Sequence, residues 1–113
     1  MNGEKRPWGD FEVLDERNGF KVKRITVIPG GRLSLQSHRH RAEHWTVANG
    51  IATVTVGDKV LTLSRGQSID VPKGEKHRLE NYHSETVEII EVQFGDYLGE
   101  DDIIRYEDAY QRA

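Results

Sequence analysis

The sequence predicts an all-β protein, built as a sandwich or a barrel of short strands. Three observations lead to this fold class. Apolar and polar residues alternate in short segments, turn residues recur about every 8–12 positions, and the apolar runs are rich in β-branched residues. The alternating segments are residues 20–23, 33–36, 52–56, 60–63 and the longer apolar run 87–94.

Turns that contain glycine separate these segments. Gly57 and Asp58 lie between segments 52–56 and 60–63, an arrangement typical of a β-hairpin. Further turn signals occur at residues 17–19, 29–31, 49–50 and 72–74. Only the C-terminal residues depart from this pattern of strands and turns.

Residues 101–112 predict one short amphipathic helix packed on the outside of the barrel. Ile103, Tyr106 and Tyr110 recur at positions i, i+3 and i+7, which is a helical spacing. Acidic residues at the start of this segment and Arg112 near its end suit the helix dipole.

The composition predicts one domain, residues 1–113, and excludes several classes of protein. Sixteen Lys and Arg against nineteen Asp and Glu give a net charge of -3, which disfavours a nucleic-acid partner. The absence of cysteine excludes disulfides and thiolate metal sites. No apolar run approaches the roughly 20 residues that cross a bilayer. We therefore expect a soluble, cytoplasmic protein with no membrane partner.

Four of the five histidines fall in two short segments, and their placement predicts a metal site. In a strand, His38 and His40 project to one face, about 6.6 Å apart along the chain. Gln36 shares this parity, and His44 can return to the same side if the chain turns near residues 41–42. A strand face with these polar side chains predicts the lining of a wet pocket.

The second histidine segment begins with a strand and a fixed turn at Pro72 and Gly74, which delivers His77 at the start of the next strand. Imidazoles that converge in a barrel mouth suit one divalent ion, and the ligand set does not choose among Zn, Mn, Fe, Co and Ni. Glu43 either supplies a carboxylate to this ion or alternates outward while His44 points inward.

Both segments resemble the two sequence motifs of the cupins. The chain matches the first motif, G-x5-H-x-H-x3,4-E-x6-G, only approximately. The gap between the glycine and the first histidine is one residue longer than in the motif, and the carboxylate is displaced. Its matches are Gly31, His38, His40, Glu43 or His44, and Gly50. The second motif, G-x5-P-x-G-x2-H-x3-N, is matched at every fixed position by Gly66, Pro72, Gly74, His77 and Asn81. The resemblance implies a cupin fold, that is, a double-stranded β-helix or jelly-roll barrel.

A closer resemblance, over almost the whole chain, is to the isomerase domain of type II mannose-6-phosphate isomerases. It is carried by residues 6–9, 20–25, 33–36, 38–45, 77–81, 90–93 and 97–103. In that family the domain follows a mannose-1-phosphate guanylyltransferase domain, so we expect a stand-alone isomerase that does not make GDP-mannose by itself. The implied activity is metal-dependent interconversion of mannose 6-phosphate and fructose 6-phosphate through a cis-enediol, feeding GDP-mannose and polysaccharide biosynthesis.

The implied activity assigns roles to residues of this chain. Glu43 or Glu91 is the expected acid/base, and Gln36 is expected to contact a sugar hydroxyl. Gln93, which shares the face of Glu91, is expected to contact the substrate, and Trp8 is a candidate for closing the pocket. The cationic candidates for the phosphate and the pocket mouth are Arg6, Lys21, Lys23, Arg24, Arg41 and Arg78.

The sequence also allows two alternatives to the isomerase. Strict parity gives a four-histidine site of His38, His40, His44 and His77, which resembles cupins with oxidative chemistry and would make the protein a dioxygenase. A non-catalytic cupin that binds metal or sugar is the other alternative. The resemblance also implies a homodimer.

Overall fold

A computed structural model of the chain describes residues 2–108 and residue 110. These residues form eleven β-strands and no helix. The strands are β1 (Asn2–Arg6), β2 (Gly9–Arg17), β3 (Phe20–Val27), β4 (Leu35–Ser37), β5 (Arg41–Asn49), β6 (Ala52–Val56), β7 (Lys59–Leu63), β8 (Ser68–Val71), β9 (His77–Glu80), β10 (Val87–Gly95) and β11 (Ile104–Glu107). The predicted all-β fold class is therefore confirmed.

The strands form two antiparallel sheets. The larger sheet has the order β1-β2-β3-β10-β5-β8, and the smaller has the order β11-β4-β9-β6-β7. Strands that are distant in sequence are neighbours in both sheets, as β10 lies between β3 and β5. The predicted hairpin at Gly57 joins β6 to β7, with Val56 opposite Lys59.

The apolar side chains pack between the sheets, but only toward one end of the three central strands. The buried face of β3 carries Ile25 and Val27, that of β10 carries Val87 and Ile89, and that of β5 carries Trp45 and Val47. Toward the other end of each strand the buried residues are polar. They are Lys21 and Lys23 on β3, Glu91 and Gln93 on β10, and Arg41 and Glu43 on β5.

The register of the sheet gathers these polar side chains into one cluster. Glu91 lies between Lys23 and Trp45, and Gln93 lies between Lys21 and Glu43. Because residues opposite each other on adjacent strands share a face, one end of the barrel interior is polar. Burying a charge costs free energy unless the charge is paired, and unusual buried charges cluster at functional sites. We therefore expect a functional site at this polar end.

The predicted C-terminal helix is wrong. Residues Ile104–Glu107 form the edge strand β11, which pairs with β4 through Ile104 opposite Ser37 and Arg105 opposite Gln36. The free edge of β4 offers backbone partners, and this long-range pairing overrides a helical spacing of three residues. Residues 109 and 111–112 of the predicted helix lie outside the described residues.

Among the residues that the structure describes, no helix combines the length and the apolar character needed to cross a membrane.

Candidate functional site

A pocket occupies the polar end of the barrel, between the two sheets. It encloses about 710 Å³, counting the space at its open mouth. Aromatic and aliphatic side chains such as Trp8, Phe11 and Leu79 form part of its wall. Its charged lining residues are Arg6, Lys23, Arg41, Glu43, Arg78, Glu91, Glu100 and Arg105. A concave site is the usual place for a small-molecule ligand, and the many charged groups of this lining suit a polar, charged one.

Three buried side chains, two of which (Glu43 and His77) line this pocket, converge in a group that could hold a metal ion. His38, Glu43 and His77 each offer one ligand atom, and these atoms all lie within 4.8 Å of one another. The His38 Nε2 atom is 3.3 Å from Glu43 Oε2, and the His77 Nε2 atom is 3.5 Å from Glu43 Oε1. We call this group the His-Glu-His group.

Backbone carbonyls fix which ring nitrogen of each histidine faces the group. His38 Nδ1 lies 2.6 Å from the carbonyl oxygen of Asp102, and His77 Nδ1 lies 2.9 Å from that of Glu75. A carbonyl oxygen only accepts, so each Nδ1 carries the hydrogen and donates it. Nε2 of each neutral ring is therefore an acceptor: that of His77 faces Glu43, and that of His38 faces both Glu43 and the Arg41 guanidinium.

Both rings are neutral at neutral pH. Burial, and after it the nearby Arg41 guanidinium, lower the pKa of His38 to about 4. Burial also lowers the pKa of His77. A neutral imidazole is the form that binds a metal, so the two histidines are ready to act as ligands.

The His-Glu-His group contains more acceptors than donors, and this fits a bound cation. Glu43 Oε1 is buried without a hydrogen-bond partner, although it faces the lone pair of His77 Nε2. On the other side, the Arg41 guanidinium donates from Nε to Glu43 Oε2 (2.7 Å), and its Nη2 atom lies 3.2 Å from His38 Nε2. Glu43 Oε2 and His38 Nε2 therefore already contact a positive charge, that of Arg41. Two imidazoles and a carboxylate suit Zn, Fe, Mn, Co or Ni.

His40 and His44, predicted as ligands, lie outside this group. β4 ends at Ser37, so the alternation of a strand does not extend to His40, which is exposed with its ring 6.0 Å from that of Tyr97. His44 lies on the outward face of β5 beside the inward Glu43, and its Nδ1 is 2.7 Å from Asp70 Oδ1. Its side chain is 38% exposed. For His40 the parity argument failed because it continued one strand through a bend, and for His44 it failed because β5 resumes with Glu43 on the inner face.

A shifted alignment of the first cupin motif restores its spacing. If Gly30 replaces Gly31 as the first glycine, Gln36 takes the first histidine position, and His38, Glu43 and Gly50 follow with the spacing of the motif. Gly30 and Gly50 both have φ of +81°, the left-handed conformation that favours glycine. Gln36 lines the pocket and lies opposite His77 in the register of β4 and β9. This spacing was the signal that sequence reasoning missed.

Glu91 is a buried carboxyl at the pocket wall, held by two donors. Trp45 Nε1 donates to Glu91 Oε2 (2.9 Å) and Gln93 Nε2 donates to Glu91 Oε1 (2.7 Å). Burial, and after it the nearby Glu43 carboxylate, raise the pKa of Glu91 to about 7. The Gln93 side chain, predicted to contact substrate, is fully buried and contacts Glu91.

Two of the predicted cations flank one aromatic ring of the pocket. The Lys23 ammonium lies 4.1 Å and the Arg6 guanidinium carbon 5.0 Å from the centre of the Phe11 ring. Both residues line the pocket, and the Lys23 ammonium also donates to Glu100 Oε2 at 2.5 Å. Phe11 and Glu100 were not singled out from the sequence, because neither belongs to a motif.

The other predicted cations are placed differently. Arg24 points away from the pocket on the outer face of β3, where it pairs with Glu12, because its neighbours Lys23 and Ile25 point inward. Lys21 donates to the carbonyl oxygen of Leu98 (2.8 Å). Arg78 lines the pocket and donates from Nε to the carbonyl oxygen of Leu33 (3.0 Å).

The ion pair between Lys23 and Glu100 predicts a pH-dependent contribution to stability. Burial alone raises the pKa of Glu100, but Lys23 outweighs it and lowers the pKa below its ordinary value of 4.5. A carboxyl with a lowered pKa stabilises the fold above its unfolded pKa, and this is lost as the pH falls through the folded pKa. We expect Glu100→Gln to cost about 1 kcal/mol at pH 7, since Glu100 is half-exposed.

The difference between wild type and Glu100→Gln should shrink to nothing as the pH falls below 4.5, the ordinary pKa of the carboxyl. Urea unfolding at a series of pH values measures it. Glu16→Gln is the matched control, because Glu16 Oε2 lies 3.9 Å from the Lys21 ammonium on an exposed side chain. An equal loss in both variants, or a loss that persists in acid, would contradict the prediction.

Solved structures resemble this fold. An oxalate decarboxylase from Lactobacillus farciminis, in complex with formate, superposes with a TM-score of 0.81 at 17% identity, over 93% of this chain and 33% of that one. A Klebsiella pneumoniae protein with a double-stranded β-helix domain gives a TM-score of 0.73 at 25% identity, over 85% of this chain and 77% of that one. The two sheets and the two motifs define this chain as a cupin.

Within the cupins, the chain belongs to the family described as mannose-6-phosphate isomerase C-terminal, which it matches over residues 2–108. It is 57% identical over 108 residues to the xanthan biosynthesis protein XanB of Xanthomonas campestris and 55% identical to the alginate biosynthesis protein AlgA of Pseudomonas aeruginosa. Each alignment covers 96% of this chain but only 23% and 22%, respectively, of those proteins. The chain therefore spans less than a quarter of the length of these relatives.

Proposed function

We propose that this chain is a metal-dependent aldose–ketose isomerase that interconverts mannose 6-phosphate and fructose 6-phosphate. One observation carries the proposal. A single pocket is lined by Glu43 and His77 of the His-Glu-His group, which fits a cation, and by Glu91, a buried carboxyl whose pKa is raised to about 7. Membership of the isomerase family supports the same reaction.

His38, Glu43 and His77 would hold the divalent ion, with Gln36 beside them at the position of the missing motif histidine. Such an ion polarises a carbonyl and stabilises the negative charge of an enediolate. Glu43, one of the two predicted acid/base residues, serves as a ligand in this assignment. Glu91 is then the residue that moves protons.

The reaction moves one proton between C2 and C1 and a second between the two oxygens. In the direction from mannose 6-phosphate, the Glu91 carboxylate takes the proton from C2, which leaves an enediolate with its charge on O1. The O2 proton moves to O1, and Glu91 returns its proton to C1 as C2 becomes the carbonyl carbon. A group that must both accept and donate works best with a pKa near the working pH. Trp45 and Gln93 hold the Glu91 oxygens, so the carboxyl presents a fixed geometry.

Arg6 and Lys23 are the residues we assign to the phosphate. They lie around the same Phe11 ring in the pocket, and Arg6 otherwise pairs with the exposed Glu4. A guanidinium fork and an ammonium in one pocket suit a dianionic phosphate. Arg41 and Arg78 have buried partners within the protein, Glu43 and the Leu33 carbonyl.

The names of the relatives suggest where such a reaction serves. Besides the xanthan and alginate proteins, the chain is 49% identical over 108 residues to the mannose-1-phosphate guanylyltransferase ManC of Salmonella typhimurium. We propose that this chain supplies mannose 6-phosphate to GDP-mannose and polysaccharide biosynthesis. The homodimer, the cytoplasmic location and the single-domain organisation remain predictions from the sequence.

The test is a coupled assay of mannose 6-phosphate conversion with protein loaded in turn with Zn, Mn, Fe, Co and Ni. We expect turnover with at least one ion and its loss after chelation, followed by recovery on reloading. Absence of turnover with every ion would contradict the proposal. Binding of mannose 6-phosphate without turnover would favour a non-catalytic cupin instead.

Oxygen uptake in the same samples tests the dioxygenase alternative. That alternative required His44 as a ligand, and His44 lies on the outer face of the sheet. We expect no oxygen consumption by the iron-loaded protein. Uptake with iron but not with zinc would favour the oxidative reaction.

A further inference from the structure

Asp102 holds the segment that carries His38 through three contacts that are distant in sequence. Its two carboxylate oxygens accept hydrogen bonds from the backbone N–H groups of Arg39 and His40, each at 2.9 Å. Its carbonyl oxygen accepts from His38 Nδ1 at 2.6 Å. Asp102 is buried, so these contacts are shielded from water.

These contacts compensate for a local weakness of the fold. Residues 38–40 lie between β4 and β5, outside either strand, so the sheet does not fix their backbone. The Asp102 carboxylate replaces the missing ladder partners of two successive N–H groups. It thereby keeps the carbonyl of the same residue opposite the His38 ring.

His77 differs from His38 in how its ring is fixed. The carbonyl that accepts from His77 Nδ1 belongs to Glu75, two residues away in the same turn. The carbonyl that accepts from His38 Nδ1 lies 64 residues away in sequence. The orientation of His38 therefore depends on a segment that forms neither of its neighbouring strands.

We propose that Asp102 is a positioning residue of the cation site: it fixes the backbone at His38 and the hydrogen on Nδ1, so that Nε2 is available as a ligand. The assignment rests on the proposed function, because it takes the His-Glu-His group to be a metal site. Groups that orient metal-binding histidines typically change metal affinity 10–100-fold.

The same segment is also attached to the pocket wall. Glu100 pairs with Lys23, and the carbonyl of Leu98 accepts from Lys21. Residues 98–102 therefore contact Lys21 and Lys23 of β3 at one end and, through Asp102, residues 38–40 at the other. Asp101, by contrast, contacts the hydroxyl of the exposed Tyr97, which makes it a matched control.

The experiment compares wild type with Asp102→Ala, Asp102→Asn and Asp101→Asn in the intact chain. The Asn variant keeps the shape of the side chain but directs an NH2 group at one of the two N–H donors. Zn²⁺ affinity is measured by competition with a chelating dye. The tautomers of His38 and His77 are read from ring ¹⁵N shifts in chelator-treated protein.

We expect both Asp102 variants to bind Zn²⁺ about 10–100-fold more weakly, with His38 losing its single Nδ1–H tautomer. His77 should keep its tautomer, and Asp101→Asn should match wild type in both measurements. Unchanged affinity and an unchanged His38 tautomer in either folded Asp102 variant would overturn the proposal. So would equal changes in His38 and His77, because they would indicate general loosening.

Failure of this proposal can be distinguished from failure of the proposed function. A wild-type protein that binds Zn²⁺ but does not convert mannose 6-phosphate would contradict the isomerase and leave the role of Asp102 intact. Conversion by wild type together with unchanged Asp102 variants would support the isomerase and overturn the positioning role.

Discussion

Glu91→Gln is expected to lower kcat for mannose 6-phosphate by about 10²–10⁴-fold, the range attributed to a positioned acid or base. The physical reason is that an amide neither accepts nor returns the proton that moves between C2 and C1. The ligand atoms of the His-Glu-His group belong to other residues, so bound metal should be retained. The measurements are steady-state kinetics with metal analysis of the same sample.

A second readout separates chemistry from binding. Wild-type protein should exchange the C2 hydrogen of mannose 6-phosphate with solvent in D2O, and Glu91→Gln should not. Glu88→Gln is the control, because Glu88 lies on the same strand with its side chain on the opposite face. A kcat within about tenfold of wild type in Glu91→Gln would assign the proton transfer to another residue.

His77→Ala is expected to weaken binding of the divalent ion by more than about 100-fold, beyond the effect of losing an orienting group. It removes one of three ligand atoms that lie within 4.8 Å of one another, and activity should fall with the metal content. Equilibrium dialysis against a metal buffer gives the affinity. Urea unfolding checks that the variant, which also loses a ring packed on Trp45, remains folded.

His40→Ala and His44→Ala are the matched controls for this prediction. His40 is exposed and His44 is bonded to Asp70 on the outer face of the sheet, so both variants should bind metal as wild type does. If either control lost the metal together with His77→Ala, the four-histidine site would be supported in place of the His-Glu-His group.

The alternation of apolar and polar residues predicted several strands of the fold, two of which, β3 and β10, line the pocket. The segments at 20–23, 52–56, 60–63 and 87–94 all lie within strands β3, β6, β7 and β10. Alternation is a local signal that follows from the geometry of one strand, so it can be read from neighbouring residues. By the same parity Glu91 and Gln93 share one face of this strand, which made Glu91 a candidate.

Local signals failed where a strand ends. Whether Glu43 or His44 points inward depends on where β5 begins, and β5 begins at Arg41 after a bend that the sequence pattern does not mark. A shift of one residue moves every side chain of a strand to the opposite face. The motif spacing from Gly30 through Gln36 to Glu43 contained the correct register.

By itself, then, the sequence determined the all-β class, the two histidine segments and the family, because these depend on patterns within a few residues or on motif residues in fixed order. Only the tertiary structure decided that residues 104–107 pair with β4, that Glu43 joins His38 and His77, and that Asp102 supports His38. Each of these depends on contacts between segments far apart in the chain. Such contacts form where unpaired backbone groups and buried charges find partners, and no local pattern specifies them.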